Sequence, residues 1–177
     1  MITMPKDASF IGTAEEIKEG AHISVVRKKL VINSQYETLL NSITKLAATI
    51  CNLPVAILTL VDEENIWISS EVEAPGVTRL PRRGTFSSWV VTNDNYLEIT
   101  DTMLGISHLC HPWKTDWPNY KFHASAPLKL PMGEVIGALC VFDVKPNKIT
   151  VNQKEMLVGL ADTVAKALVI RNNMVQF

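Results

Sequence analysis

No apolar run in this chain approaches the ~20 residues that a membrane-spanning helix needs. Val55–Val61 ("VAILTLV") has only 7 residues, the length of a strand. Charge of one sign is also lacking: 17 Lys and Arg stand against 18 Asp and Glu, for a net charge of −1. The one basic cluster, "VRKK" at Val26–Lys29, reads as a solvated helix face, so no nucleic-acid partner and no membrane are expected. Cysteine is sparse. Cys51, Cys110 and Cys140 cannot all pair and show no CxxC spacing, which suits a reducing cytoplasm. The opening "MITMPKDASF" has no apolar stretch after a basic start, so no signal peptide is expected.

What is present is enough apolar material for a core. The chain is 47% hydrophobic and 20% charged over 177 residues, the proportions of a single domain. Three segments, Thr13–Glu16, Ser34–Glu37 and Thr150–Gln153, carry a capping box, in which a hydroxyl closes the free N–H groups at a helix start. After Ser34, the residues Leu39, Leu40, Ile43, Leu46, Ala47 and Ile50 share one helical stripe that ends before Pro54. "VAILTLVD" then predicts a strand covered on both faces, and "IWISSE" returns antiparallel after a turn at Glu63–Asn65. Ala74–Gly84, rich in Pro, Gly and Arg, reads as a surface loop.

Thr85 is placed to cap a short helix, "FSSWVVTND", and Tyr96–Ile99 forms a short strand before Asp101. Tyr120–Leu128 alternates as a strand, "PMGE" is a hairpin turn, and Val135–Asp143 is apolar throughout. A long helix from about Val151 to Asn172 closes the chain, with Met156, Leu157, Leu160, Ala161, Val164 and Leu168 as its main stripe. Val158, Ala165, Val169 and Ile170 widen that surface beyond the usual arc. A second helix is therefore expected against it, either Ala14–Ile32 or the same helix of another copy. The order of elements predicts an α+β fold around one antiparallel sheet.

Several of these words, in this order, resemble the GAF domain family. "PVAILTLVDEENIWISS" is similar to the family's first hairpin, with Trp67 as the aromatic of the returning strand. "YKFHASAPLKLPMGEVIGALCVFDVKPNKITVNQKEMLVGLADTVAKAL" is similar to its "APL" strand, Gly turn, "G-x-L-C-V-x-D" strand and closing helix. The resemblance runs from about Ser34 to Asn172. It divides the chain into an extension with a helix (1–33), the domain (34–172) and a tail (173–177). It implies a central antiparallel sheet of five to six strands, with the terminal helices on one face. Loops and short helices would then enclose a small-molecule pocket on the other. It also implies sensing and relay, without naming the ligand.

The stretch from Gly105 to Leu128 holds three of the four histidines, His108, His111 and His123, together with Cys110. His108-x-Cys110-His111 is not a standard metal spacing, and Pro112 restricts it, so no metal is expected. Cys110-His111 lies where some photosensory relatives attach a bilin, but "HPWKTDWPNY" does not look like their attachment helix. Neither bilin nor haem is expected. The cyclic-nucleotide element "N-K-x-n-F-x-x-x-D-E" is missing as well.

The pocket is expected to be built from Trp67, Phe86, Ser87, Asp101, Cys110, Trp113, Trp117, Tyr120, Phe122, His123 and Ser125. Trp113 and Trp117, spaced i, i+4, fit either a half-buried lid or plain packing. Strand alternation puts Tyr120, Phe122 and Ala124 on one face and Lys121, His123 and Ser125 on the other, and leaves open which face meets the pocket. The histidines are expected to tune its polarity and its response to pH. The leading reading is a homodimeric sensor, joined through its terminal helices, that passes ligand occupancy to a separate signalling protein or to the rest of a longer chain. The alternatives are a thiol reductase of free methionine sulfoxide working through Cys110, and a ligand-free interaction scaffold.

Overall fold

The computed structural model describes residues 34–74, 76–101 and 120–174. In chain order the elements are α1 (Ser34–Cys51), β1 (Val55–Val61), β2 (Asn65–Val72), β3 (Arg79–Pro81), α2 (Phe86–Asn93), β4 (Leu97–Ile99), β5 (Phe122–Lys129), β6 (Val135–Asp143) and α3 (Val151–Met174). The six strands form one sheet in the order β3-β2-β1-β6-β5-β4. Every neighbouring pair is antiparallel. The loop expected at Ala74–Gly84 is shorter than its composition suggested. Its Arg79–Pro81 segment pairs with Asn65–Trp67 as an edge strand, a position where Pro81 does no harm to the ladder.

α1 ends as its sequence dictates. Asn52 takes a left-handed conformation (φ 53°), its N–H reaches the Thr49 carbonyl, and the Leu53 N–H reaches the Ala48 carbonyl. That pattern satisfies carbonyls that a helix end otherwise leaves open, and Pro54 prevents continuation. At the start of α3, the Thr150 N–H donates to Gln153 Oε1 at 2.8 Å, and the Gln153 N–H donates to Thr150 Oγ1 at 3.2 Å. The same Gln153 side chain donates from Nε2 to the carbonyls of Ile50 (3.1 Å) and Cys51 (3.0 Å). One glutamine therefore closes the first turn of α3 and the last turn of α1.

Both helices cover one face of the sheet, and α1 also packs on α3, where the Tyr36 hydroxyl donates to the Ala167 carbonyl. Among the described residues, α1 is thus the helix that meets the wide apolar surface of α3; Ala14–Ile32 lies outside them. The apolar stripe of α1 is rotated from the expected one, whereas that of α3 holds except at Met156. On α1, Leu40, Ile43, Thr44, Ala47, Ala48 and Cys51 are buried, while Leu39 and Leu46 are exposed. On α3, Leu157, Ala161, Val164, Ala165 and Leu168 are buried and Met156 is exposed. Small residues beside each large one let the helices approach the sheet closely, which turns the flanking column outward.

Beneath the helices lie Ala56, Leu58 and Leu60 of β1, Phe122, Ala124, Ala126 and Leu128 of β5, and Leu139 and Val141 of β6. β1 is buried along its whole length, as its apolar run predicts. Gly137 sits where β6 comes closest to β1. A Cβ there would lie 2.0 Å from the Thr59 carbonyl oxygen, and a backbone atom cannot swing aside as a flexible side chain would. Gly159, on the exposed side of α3, has nothing within 4 Å of such a Cβ.

Opposite effects follow for the same substitution. Gly137→Ala should cost about 3 kcal/mol through overpacking, lowering Tm by roughly 6–12 °C. Gly159→Ala should raise stability by up to ~1 kcal/mol, the helix-propensity difference. Thermal unfolding followed by circular dichroism measures both.

Candidate functional site

The sheet's second face, away from α1 and α3, carries the polar residues. Directly paired residues in an antiparallel sheet share a face, so the registers lay out two rows. One runs Glu71, Ile57, Cys140, Ser125, Leu97 across β2, β1, β6, β5 and β4. The other runs Val55, Phe142, His123, Ile99. α2 closes over this face, with Phe86 and Val90 in the same apolar cluster. Thr85 caps α2 as expected, its hydroxyl accepting from the Ser88 N–H at 3.1 Å. The cap orients the first turn, and Ser87 of that turn faces inward.

A line of buried polar side chains crosses this face. Thr59 Oγ1 lies 3.1 Å from the Ala138 carbonyl and 3.1 Å from Ser87 Oγ. Ser87 Oγ lies 3.7 Å from Cys140 Sγ. Ser125 stands beside Cys140 on the neighbouring strand, and its Oγ is 2.9 Å from His123 Nε2. Thr59, Ser87, His123 and Ser125 are all buried. The His123 ring is stacked on Phe86, with centroids 4.1 Å apart, and tilted against Phe142 at 4.6 Å. Tyr120 packs on the other side of Phe142, at 5.0 Å.

Burial governs the protonation of this site. It pushes the Cys140 thiol up to about 12, although the hydroxyls of Ser87, Ser125 and Thr59 around it pull the other way. It pushes His123 down to about 3, because nothing nearby stabilises an imidazolium out of water. The expected pH response therefore does not arise at His123, which stays neutral through the physiological range. Tyr120 is raised by burial and by the nearby Glu71 carboxylate. Two buried atoms on this face have no hydrogen-bond partner among the described residues, His123 Nδ1 and Glu71 Oε2.

Of the residues singled out from the sequence, Phe86, Ser87, Tyr120, His123 and Ser125 come together here. Tyr120 does not follow the expected alternation with Phe122: β5 begins only at Phe122, so Tyr120 is free of the pleat and turns to the other face. Phe122 itself lies in the core beneath the terminal helices. Trp67 pairs with Leu60 of that same core, so it too belongs to the helix face, where its Nε1 donates to Asp62 Oδ2 at 2.7 Å. Asp101 stands just beyond β4, and Cys110, Trp113 and Trp117 lie outside the described residues. Sequence reasoning missed Thr59, Glu71, Cys140 and Phe142. Thr59 left one signal, as the one polar residue inside "VAILTLV". Among the described residues no three His, Cys, Asp or Glu side chains come close enough to hold a metal ion, and no helix is long and apolar enough to cross a membrane.

A single antiparallel sheet that gives one face to terminal helices and the other to a buried polar row defines a two-faced α+β domain. The chain belongs to the GAF domain family, whose model matches residues 35–168. A search of curated proteins by sequence finds no match. Solved structures share the fold at low identity. The GAF domain of a phosphoenolpyruvate-protein phosphotransferase from Coxiella burnetii has a TM-score of 0.69 at 12% identity, over 93% of this chain and 100% of that one. A methyl-accepting chemotaxis protein fragment gives 0.64 at 15% identity, over 86% and 97%. The type II free methionine-R-sulfoxide reductase of Thermoplasma acidophilum gives 0.62 at 12% identity, over 75% and 91%.

The depressed His123 has a consequence for stability. The unfolded chain takes up a proton below its ordinary value of 6.5, whereas the folded site does so only near 3. Stability is therefore full above pH 6.5 and falls as pH drops through that window. By pH 5 the loss from this residue should reach about 2 kcal/mol. Urea unfolding of wild type and His123→Asn at pH 7.5 and 5 isolates it, since the variant should lack this component.

Proposed function

We propose that this GAF domain is a sensory module that binds a small molecule on the sheet face away from α1 and α3. One observation carries the reading. His123 Nδ1 is fully buried at the end of a neutral polar line, with no hydrogen-bond partner among the described residues. An unmade hydrogen bond at a buried polar atom costs about 1–3 kcal/mol, and a guest that completes it recovers that cost. The surrounding rings of Phe86, Phe142 and Tyr120 supply the apolar wall that small-molecule sites favour.

β5 offers a route for the signal. His123 and Ser125 face the site, and the alternating Phe122, Ala124 and Ala126 support the terminal helices. A ligand that fits one helix packing better than another shifts the balance between them. Leu39 and Leu46, one heptad apart on α1, are 40% and 46% exposed, which supports a homodimer through the terminal helices; a separate signalling protein would then be the receiver. Cys51 and Cys140 are free thiols, in keeping with a cytoplasmic location. A reductase would have to work through Cys110, since burial pushes Cys51 up to about 11 and Cys140 to about 12, far from a reactive thiolate.

Native mass spectrometry of freshly purified protein tests the sensor. A retained small molecule, lost on denaturation, is expected. If no compound is retained and none binds from a broad metabolite panel, the domain is a scaffold. Sedimentation should show a dimer at micromolar concentration, and Leu39→Lys with Leu46→Lys should convert it to monomer. A wild-type monomer would rule out the dimer.

A further inference from the structure

We infer that Glu71 holds a positively charged group of the guest, so that the ligand is a small organic cation, a protonated amine or amidine on an apolar body. This rests on the small-molecule reading above and narrows its ligand class. Glu71 pairs with Ile57 of β1, and paired residues share a face. Ile57 belongs to the apolar cluster of the second face, with Phe86 and Phe142. The neighbouring Ser70 points the other way, its Oγ donating to Asn41 Oδ1 of α1 at 2.7 Å. Alternation along β2 therefore turns the Glu71 side chain toward the candidate site, where Tyr120 packs against the same cluster.

The carboxylate meets no counter-charge there. Glu71 Oε2 is buried without a hydrogen-bond partner among the described residues. Its Oε1 lies against the turn after β2, 4.0 Å from where a Gly76 Cβ would stand. That turn is tied back to the strand, the Ile68 N–H donating to the Thr78 carbonyl at 3.0 Å. Two arginines of the adjoining edge are engaged elsewhere: Arg79 lies over the Trp67 ring, and Arg82 Nη1 donates to the Asp62 carbonyl. Among the described residues no lysine or arginine is buried, and His123 is neutral. A carboxylate taken from water without a partner is costly, and an incoming cation offsets that cost. The tilted rings of Tyr120 and Phe142, 5.0 Å apart, add the aromatic surface that organic cations favour. An anionic guest would meet like charge instead. β3 pairs only with Asn65–Trp67, so among the described residues no strand lies beyond the half of β2 that carries Glu71. The residue as a whole is half-buried, which leaves a guest a way in from that edge.

The test is calorimetric titration with benzylamine and benzamidine as cations, benzyl alcohol as a neutral analogue and benzoate as an anion. Wild type, Glu71→Gln and Glu73→Gln are compared. Glu73 is an exposed neighbour and controls for general attraction to an acidic edge. The cations should bind wild type roughly 10–100-fold more tightly than benzyl alcohol, the scale of a hydrogen bond to a charged group. Benzoate should bind more weakly than the alcohol. Glu71→Gln should erase the preference for cations while alcohol binding and far-UV circular dichroism stay unchanged, and Glu73→Gln should keep it. Equal binding of cations and alcohol, preference for benzoate, or a cation preference that survives Glu71→Gln or is lost in Glu73→Gln would overturn the proposal and leave a small-molecule site standing. If no probe binds, the compound retained in native mass spectrometry decides. A cation held by wild type and lost from Glu71→Gln supports the proposal, and any other retained compound overturns it. A protein that binds no probe, retains no compound and takes up no metabolite would overturn both readings.

Discussion

Thr59 of β1 and Ala138 of β6 face each other at the centre of the sheet, and the rest of the domain is arranged around that ladder. Gly137 has no side chain to hold the two backbones apart, so the strands close tightly enough for Thr59 to reach both the Ala138 carbonyl and Ser87. From there the two-residue period of a strand divides the molecule. Leu58, Leu60, Leu139 and Val141 go to the helices, whereas Ile57, Thr59, Cys140 and Phe142 go to the opposite side. A slip of one residue would exchange the two sets and put hydroxyls under α1 and α3.

The two terminal helices act as one unit because they are tied to each other. Gln153 holds the last carbonyls of α1 while closing the first turn of α3, and Tyr36 bonds α1 to Ala167 farther along. A displacement of β5 would therefore be felt by a coupled pair. This gives a sensor reading a mechanical basis without any long chain of contacts, since one strand touches both the polar row and the helix layer.

The polar row behaves differently from a catalytic one. A nucleophilic thiol needs a neighbouring cation, a helix N-terminus or water to hold its charge. Cys140 has hydroxyls beside it, but burial outweighs them. His123 is held neutral by the same effect. Desolvation thus keeps both Cys140 and His123 uncharged.

Much of the architecture was readable from local patterns. The Thr150–Gln153 capping box, the apolar run of β1, the "PMGE" turn and the words shared with GAF domains each act over a few residues, so order along the chain was enough to announce them. The candidate site was readable only in part. Ser87, His123 and Ser125 stood out as polar residues, but Thr59 and Cys140 looked like ordinary members of buried strands. Their partnership joins residues 28 and 53 positions from Ser87, a distance that no periodicity spans. Trp67 and Phe122 seemed suitable wall residues and went to the other face, because strand register and the starting point of β5 are set by pairing between strands. Composition and short-range spacing thus account for the elements and the family. The side each residue faces, the neutral state of His123 and its unpartnered Nδ1 arise only when distant strands are laid together and water is shut out.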